Sequence, residues 1–303
     1  MGGALEGAGR MRLVSWNVAR RVKRWQERID AIAGMHPDIL ALQEVTPTNV
    51  PLYRRDLPAI GLEHIVDCFE LAPEPALLKD PRRYGELIAS RRPLTPLDPA
   101  GFAVPWPERV LSAVVHDRSG DVELHTTHVP PGASHDWIKI EHFEGLAARL
   151  RLHSDRPRIL CGDFNSPKSE SIDGTVACWG NGGRWTQGER SVIVNLRDHD
   201  LADVFRTLNG YEAEESSWYW RDCGRRIGRR FDHIFASRSG RAKSDSPIGD
   251  TAPRQPTEEE AHRCHDAHAA TTHPPSRPRS PWRRSRESRR RSSSPSASTC
   301  IPR

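Results

Sequence analysis

The chain has 303 residues, 36% of them hydrophobic, with a mean hydropathy of −0.67, which is low for a globular chain of this length and implies that part of it does not pack. No apolar run approaches a membrane span, and MGGALEGAGR lacks the charged and apolar regions of a signal peptide, so neither a membrane protein nor a secreted one is expected. The net charge of +5 is uneven: residues 238–303 hold 14 Lys/Arg against 7 Asp/Glu, leaving 31 basic and 33 acidic residues for the rest. The body is thus near neutral, and net charge gives it no case for nucleic-acid binding.

Residues 1–10 read as a flexible extension, unless Met11 is the true start. Met11–Val18 and Asp38–Val45 read as buried strands, separated by an amphipathic helix with Trp25, Ile29, Ile32 and Ala33 at helical spacing. Val110–His116 and Val122–His128 form an expected hairpin closed by Asp117-Arg118-Ser119-Gly120. A second helix carries Ile140, Phe143, Leu146, Ala147 and Leu150, followed by strands at Arg158–Cys161 and Phe231–Ala236, with Trp218–Trp220 starting another strand between them. The body, 11–237, is therefore expected to be one α/β sandwich domain. The six cysteines form no CxxC pair and read as isolated thiols of a cytoplasmic protein. Residues 238–303, rich in Ser, Arg and Pro, cannot bury enough apolar surface to offset ordering entropy and are expected to be disordered.

The informative pattern is where the apolar runs stop. Asn17, Glu44, His128, Asp163 and Asn165 each lie at or just past the end of a strand. Singly, each has an ordinary structural explanation, such as a cap or an Asx-turn. Together they suit phosphodiester hydrolysis, which needs a hard cation, a positioned water and donors to phosphoryl oxygens. Glu44 and Asn17 fit as Mg²⁺ ligands, Asp163 as the group that orients or deprotonates water, Asn165 as a phosphoryl donor, and His128 as a charge or proton donor near neutral pH.

Ser-Trp-Asn-Val at 15–18, Leu-Gln-Glu-Val at 42–45, Thr-His-Val-Pro at 127–130, Gly-Asp-Phe-Asn-Ser at 162–166 and Arg-Phe-Asp-His-Ile-Phe at 230–235 resemble, in order, the motifs of the endonuclease/exonuclease/phosphatase family. The resemblance implies a four-layered α/β sandwich with two mixed β-sheets, and hydrolysis of phosphoesters in DNA, RNA, phosphoinositides or sphingomyelin, with Mg²⁺ or alternatively Mn²⁺. It places Asn17 and Glu44 at the metal, and Asp163 and Asn165 at the water and phosphate. It makes His128 a catalytic His with Glu86 as its carboxylate partner, and Asp232 the acid that orients a terminal His. A nuclease acting as a monomer on nucleic acid is the first expectation. The alternatives are an inactive relative with at most a binding role, and a small-molecule or lipid phosphatase.

The family's closing Ser-Asp-His is missing: Ser244-Asp245-Ser246 has Ser where His belongs, and Cys264-His265-Asp266 has the order reversed. The tail has the character of sequence that replaced a genuine C-terminus, as a reading-frame shift would produce. Translation of the other frames past codon 238 would then reveal Ser-Asp-His before an apolar strand. A lost strand would leave a sheet edge unpaired, and a lost His would lower activity by about 10²–10⁴-fold.

Overall fold

A computed structural model of the chain describes residues 11–72, 78–132 and 136–238. The expected extension at 1–10, the tail from 239 onward and both partial matches to Ser-Asp-His lie outside the described residues. Among those described, no helix is long and apolar enough to cross a membrane.

Seven elements build the first sheet and its cover: β1 (Leu13–Asn17), α1 (Trp25–Gly34), β2 (Ile39–Val45), α2 (Val50–Asp56), β3 (His64–Asp67), α3 (Cys68–Leu71) and β4 (Gly85–Ser90). The strand order is β1-β2-β4-β3, with β1 parallel to β2 through the α1 crossover and the other pairs antiparallel. The second sheet draws on β5 (Leu94–Pro96), β6 (Val110–Val115), β7 (Val122–His128) and, after α4 (Ile138–Leu150), β8 (Arg158–Asp163). Then follow β9 (Ser169–Glu170), β10 (Val176–Ala177), α5 (Gly183–Ile193), β11 (Ala202–Asp203), α6 (Val204–Asn209), β12 (Trp218–Asp222), β13 (Arg225–Arg229) and β14 (Asp232–Ala236). Its order is β11-β14-β8-β7-β6-β5, while β9/β10 and β12/β13 stand apart as small two-stranded ribbons.

Alternation along the strands produces the layers. Ile39 and Ala41 of β2 pack with Ile88, Leu111, Ala113, Leu124 and Cys161 in the core between the two sheets. Their neighbours Leu40 and Leu42 face the other way, against Ile29 and Ile32 of α1 and against Tyr53. Leu160 and Phe235 likewise turn outward onto Phe143 and Leu146 of α4 and Val192 of α5. The result is the expected four-layered sandwich of helices, two mixed sheets and helices. The hairpin is also as read: Gly120 N–H donates to Asp117 O at 3.1 Å, and β6 and β7 pair antiparallel from Val110↔Thr127 to Val115↔Val122.

One strand departs from expectation. β1 was expected to be buried, yet all five of its residues are only half-buried, whereas β2 is buried almost throughout. The reason is its position: β1 is the edge of its sheet, and among the described residues β2 is its sole strand partner.

Candidate active site

The parallel pairing of β7 with β8 sets His128 opposite Asp163, and the antiparallel pairing of β14 with β8 sets Asp232 opposite the same Asp163. Three polar side chains therefore form one row across the end of the second sheet. Gly162 permits this approach. Its φ is +139°, and a Cβ there would lie 1.9 Å from Thr127 O, a backbone atom that has no room to give.

The first sheet supplies the opposing half. Asn17 ends β1, and its Nδ2 donates to Glu44 Oε1 at 3.1 Å and to Asp163 Oδ2 at 2.8 Å, joining the two sheets. Glu44 sits in a register shift between Leu42 and Val45 and adopts a left-handed φ of +56°, a conformation unfavourable for a residue with a side chain. Asn165, also left-handed with φ +49°, donates from Nδ2 to Val129 O at 3.0 Å and lies 3.3 Å from His128 Nε2. Asn17, Glu44, His128, Asp163, Asn165 and Asp232 thus converge on one sheet end, as the sequence suggested.

Glu86 does not join them. It is fully buried one layer down, where it accepts from Thr126 Oγ1 at 3.2 Å, while Thr126 in turn accepts from Gln43 Nε2 at 2.8 Å. Its expected partnership with His128 is therefore corrected: the group on His128 Nδ1 is Arg109, at 3.1 Å. Arg109 and Asp80 form an ion pair shielded from solvent, with Arg109 Nε and Nη2 donating to Asp80 Oδ2 at 2.9 and 2.6 Å. The guanidinium lies between the rings of Trp106 and Tyr84, 4.9 and 5.3 Å from their centroids.

This arrangement fixes the histidine's chemistry. A guanidinium can only donate, so His128 Nδ1 accepts and the neutral ring's proton belongs on Nε2, 3.6 Å from Glu44 Oε1 and 3.9 Å from Asp163 Oδ2. The Asn165 NH₂, itself only a donor, then makes no bond to Nε2 and keeps its bond to Val129 O. Burial first, then the Arg109 charge, holds the His128 pKa well below the usual range, so the ring is a neutral donor and not a store of charge.

The carboxyls move the opposite way. Burial raises Glu44 despite the Asn17 hydrogen bond, and burial together with the Asp232 charge raises Asp163; Asp232 is also raised, by burial foremost. Burial thus makes ionised carboxylates costly here unless a counter-charge joins them, which fits a hard divalent cation. Among the described residues, however, no three His, Cys, Asp or Glu side chains are grouped to hold an ion by themselves. Asn17, expected as a ligand, has its Oδ1 engaged by Ala19 N–H at 2.8 Å and turns its NH₂ toward the carboxylates. It braces Glu44 and Asp163 in this arrangement.

Behind Asn165 lies a buried clamp absent from the sequence reading. Lys139 Nζ donates to Asn165 O at 2.8 Å and lies 3.4 Å from Glu189 Oε1. Glu189 also accepts from Ser166 Oγ and Trp179 N, both at 2.7 Å, and His233 Nε2 is 2.9 Å from Ser166 O. Lys139 precedes Ile140 in an amphipathic helix and reads in sequence as one more surface lysine.

The sequence matches the Endonuclease/Exonuclease/phosphatase family over residues 14–254. The chain belongs to that family. The match runs past Ser237, where composition alone ends the domain. Similar solved structures include an endonuclease/exonuclease/phosphatase from Beutenbergia cavernae DSM 12333, at 19% identity and a TM-score of 0.51, with 75% of this chain and 64% of that one covered. An AP endonuclease from Archaeoglobus fulgidus is similar at 21% identity and a TM-score of 0.55, over 75% and 87% of the two chains. A 3′ phosphatase from Neisseria, bound to a product DNA hairpin, is similar at 24% identity and a TM-score of 0.51, over 76% and 88%. At these identities the likeness is one of fold, and this chain spans 64% of the length of the Beutenbergia protein. No curated protein matches the chain by sequence.

Proposed function

We propose that this chain is a divalent-metal-dependent phosphodiesterase acting on nucleic acid. The observation that carries the reading is the meeting of Glu44, Asp163 and Asp232, all raised by burial, with the neutral donors Asn17, Asn165 and His128 at the end of two packed sheets. Mg²⁺ or Mn²⁺ would supply the missing positive charge and polarise a phosphoryl oxygen. Glu44 is its protein ligand in this reading, with water and substrate oxygens completing the shell, because the described residues offer no full set of ligands.

The chain's own groups do the rest. Asp163 orients the attacking water and takes its proton as the water oxygen bonds to phosphorus, while the ester P–O bond breaks and the leaving oxygen takes a proton from solvent. His128 Nε2–H and the Asn165 NH₂ donate to phosphoryl oxygens as charge builds there, in a site where little water competes. Asp232, in register beside Asp163, keeps a second carboxyl at the reaction centre. Asn17 holds Glu44 and Asp163 in fixed relation. The sequence contains no Ser-Asp-His, so the donor that this motif would supply is missing and turnover is expected to be low; this favours an inactive relative as the second reading.

The test is hydrolysis of bis(p-nitrophenyl) phosphate by the full chain with Mg²⁺ or Mn²⁺. Turnover that EDTA abolishes, and that Asp163→Ala lowers by roughly 10²–10⁴-fold, supports the reading. No metal-dependent turnover of this ester, nor of DNA or RNA oligonucleotides, overturns it and leaves the inactive relative. Faster cleavage of inositol phosphates than of oligonucleotides would move the substrate to the phosphatase class.

A further inference from the structure

An aromatic row runs outward from the phosphate side of the site and takes no part in the chemistry described above. Trp179 begins it, donating Nε1–H to Asn165 O at 3.1 Å. Its ring centroid is 6.4 Å from that of Phe231, the residue before Asp232. Phe231 stacks on Trp218 at 5.4 Å with planes 26° apart, and Trp218 lies 5.1 Å from Trp220. The Arg229 guanidinium sits 4.7 Å from the Trp220 centroid at the outer end.

The local sequence explains the row. Trp218 and Trp220, two residues apart on β12, share one face of the ribbon, and Trp218 pairs across with Arg229 of β13. Ser217 Oγ accepts from Phe231 N–H at 2.9 Å and Asp232 N–H at 3.0 Å, while Ser217 N–H donates to Arg229 O at 2.9 Å. The ribbon is thereby pinned to the strand that carries Asp232. Core packing is the usual fate of tryptophan, but Trp179 and Trp218 stay 41% and 39% exposed. From Trp218 to Phe231 the sequence holds five arginines and one aspartate, within a body that is otherwise slightly acidic. Of the five, Arg230 is buried against Glu170 and Asp203, and Arg221, Arg225 and Arg226 are exposed.

Flat rings beside guanidinium groups, leading away from a phosphate site, match the chemistry of a nucleotide strand: faces for bases and cations for phosphates. A duplex hides its base faces in its own stack, and inositol or lipid headgroups have none to offer. Resting on the phosphodiesterase reading, we infer that Trp179, Trp218 and Trp220, backed by the buried ring of Phe231, form a base-stacking platform for unpaired nucleotides adjoining the phosphate held at Asn165. The substrate class is then single-stranded nucleic acid or a frayed strand end.

The experiment uses the full chain in EDTA, so that binding is read apart from hydrolysis. Fluorescence anisotropy at near-physiological salt compares a labelled twelve-nucleotide oligo(dT) with a blunt duplex of the same length, alongside quenching of the chain's own tryptophan emission. The wild type should favour the single strand, with its emission quenched. Trp220→Ala should weaken single-strand binding roughly tenfold or more, and Trp220→Phe, which keeps a ring, should retain most of it. The basic tail is present in every variant and contributes equally. A wild type that prefers the duplex, or binds oligo(dT) without quenching, overturns the inference even should Trp220→Ala fail to fold. So does a folded Trp220→Ala that binds oligo(dT) as the wild type does. If the wild type hydrolyses neither bis(p-nitrophenyl) phosphate nor oligonucleotides with metal while these binding results hold, the phosphodiesterase reading fails and the platform stands.

Discussion

Replacing Arg109 by Met tests the logic of the site most directly. The Arg109 side chain is 1% exposed and that of Asp80 is fully buried, so the substitution strands a carboxylate in the interior. Asp80 would keep the Arg82 N–H at 2.9 Å and the Tyr84 N–H at 3.2 Å but lose both guanidinium bonds. Breaking one side of such a pair costs about 3–5 kcal/mol, which for a domain of this size lowers Tm by roughly 6–20 °C. The double variant Arg109→Met/Asp80→Leu should recover much of that loss, because it removes the stranded charge together with its partner. Neither variant restores the group on His128 Nδ1, so both should lose hydrolytic activity while only the single variant is severely destabilised. Urea melts give the stability coupling, and NMR of the metal-free protein reports which His128 nitrogen carries the proton: Nε2 in the wild type, a mixture in the variants. A wild type protonated at Nδ1, or an Arg109→Met loss below about 1 kcal/mol, would refute the argument that this ion pair sets the ring's donor.

Lys139→Met removes one of two donors to Asn165 O and should lower kcat more than it raises KM. Burial pulls Lys139 down to about 8 against the attraction of Glu189, whereas the unfolded chain keeps that proton to about pH 10.4. Between those values the unfolded state binds more protons, so wild-type stability should rise with pH there by a component absent from the variant, as paired urea melts would show. Burial alone would raise Glu170, but hydrogen bonds from Arg230 and Arg206 bring it down to about 2. Its contribution of about 3 kcal/mol is whole above pH 4.5 and is lost as pH falls toward 2, so Glu170→Gln should show a shallower acid limb in melts taken from pH 5 downward. Gly162→Ala should cost about 3 kcal/mol or more and depress activity, since its Cβ forces β7 and β8 apart beneath His128 and Asp163; an unchanged melt would remove Gly162 from the argument.

Much of the molecule was legible because burial leaves a period in the sequence. The alternation Ile39, Leu40, Ala41, Leu42 feeds two different cores, so β2 reads as an apolar run that stops where the site begins. The polar residues at strand ends were found the same way. What stayed hidden depends on pairing between distant segments. Glu86 lies on a short apolar strand and invites assignment to the site, but on β4 it faces the seam with Thr126 and Gln43. Arg109 and Asp80 are 29 residues apart and meet through irregular segments, which no periodicity marks. Lys139, Glu189 and His233 come from three separate elements, and each taken alone is an ordinary polar residue.

The two halves of the site are unequally supported. His128, Asp163 and Asp232 stand on β7, β8 and β14, adjacent strands that each have a partner on both sides. Asn17 stands at the end of β1, which is half-buried and has only β2 beside it among the described residues. Yet Asn17 is the group whose NH₂ ties Glu44 to Asp163, two acids whose burial and like charge push both toward protonation. Fraying of β1 would release those carboxylates to water and relieve their crowding, so the charge that suits the site to a cation also works against the strand that completes it. On the proposed function, a divalent ion bound there would reverse that balance by attracting both acids, so that metal binding and the ordering of β1 would reinforce one another.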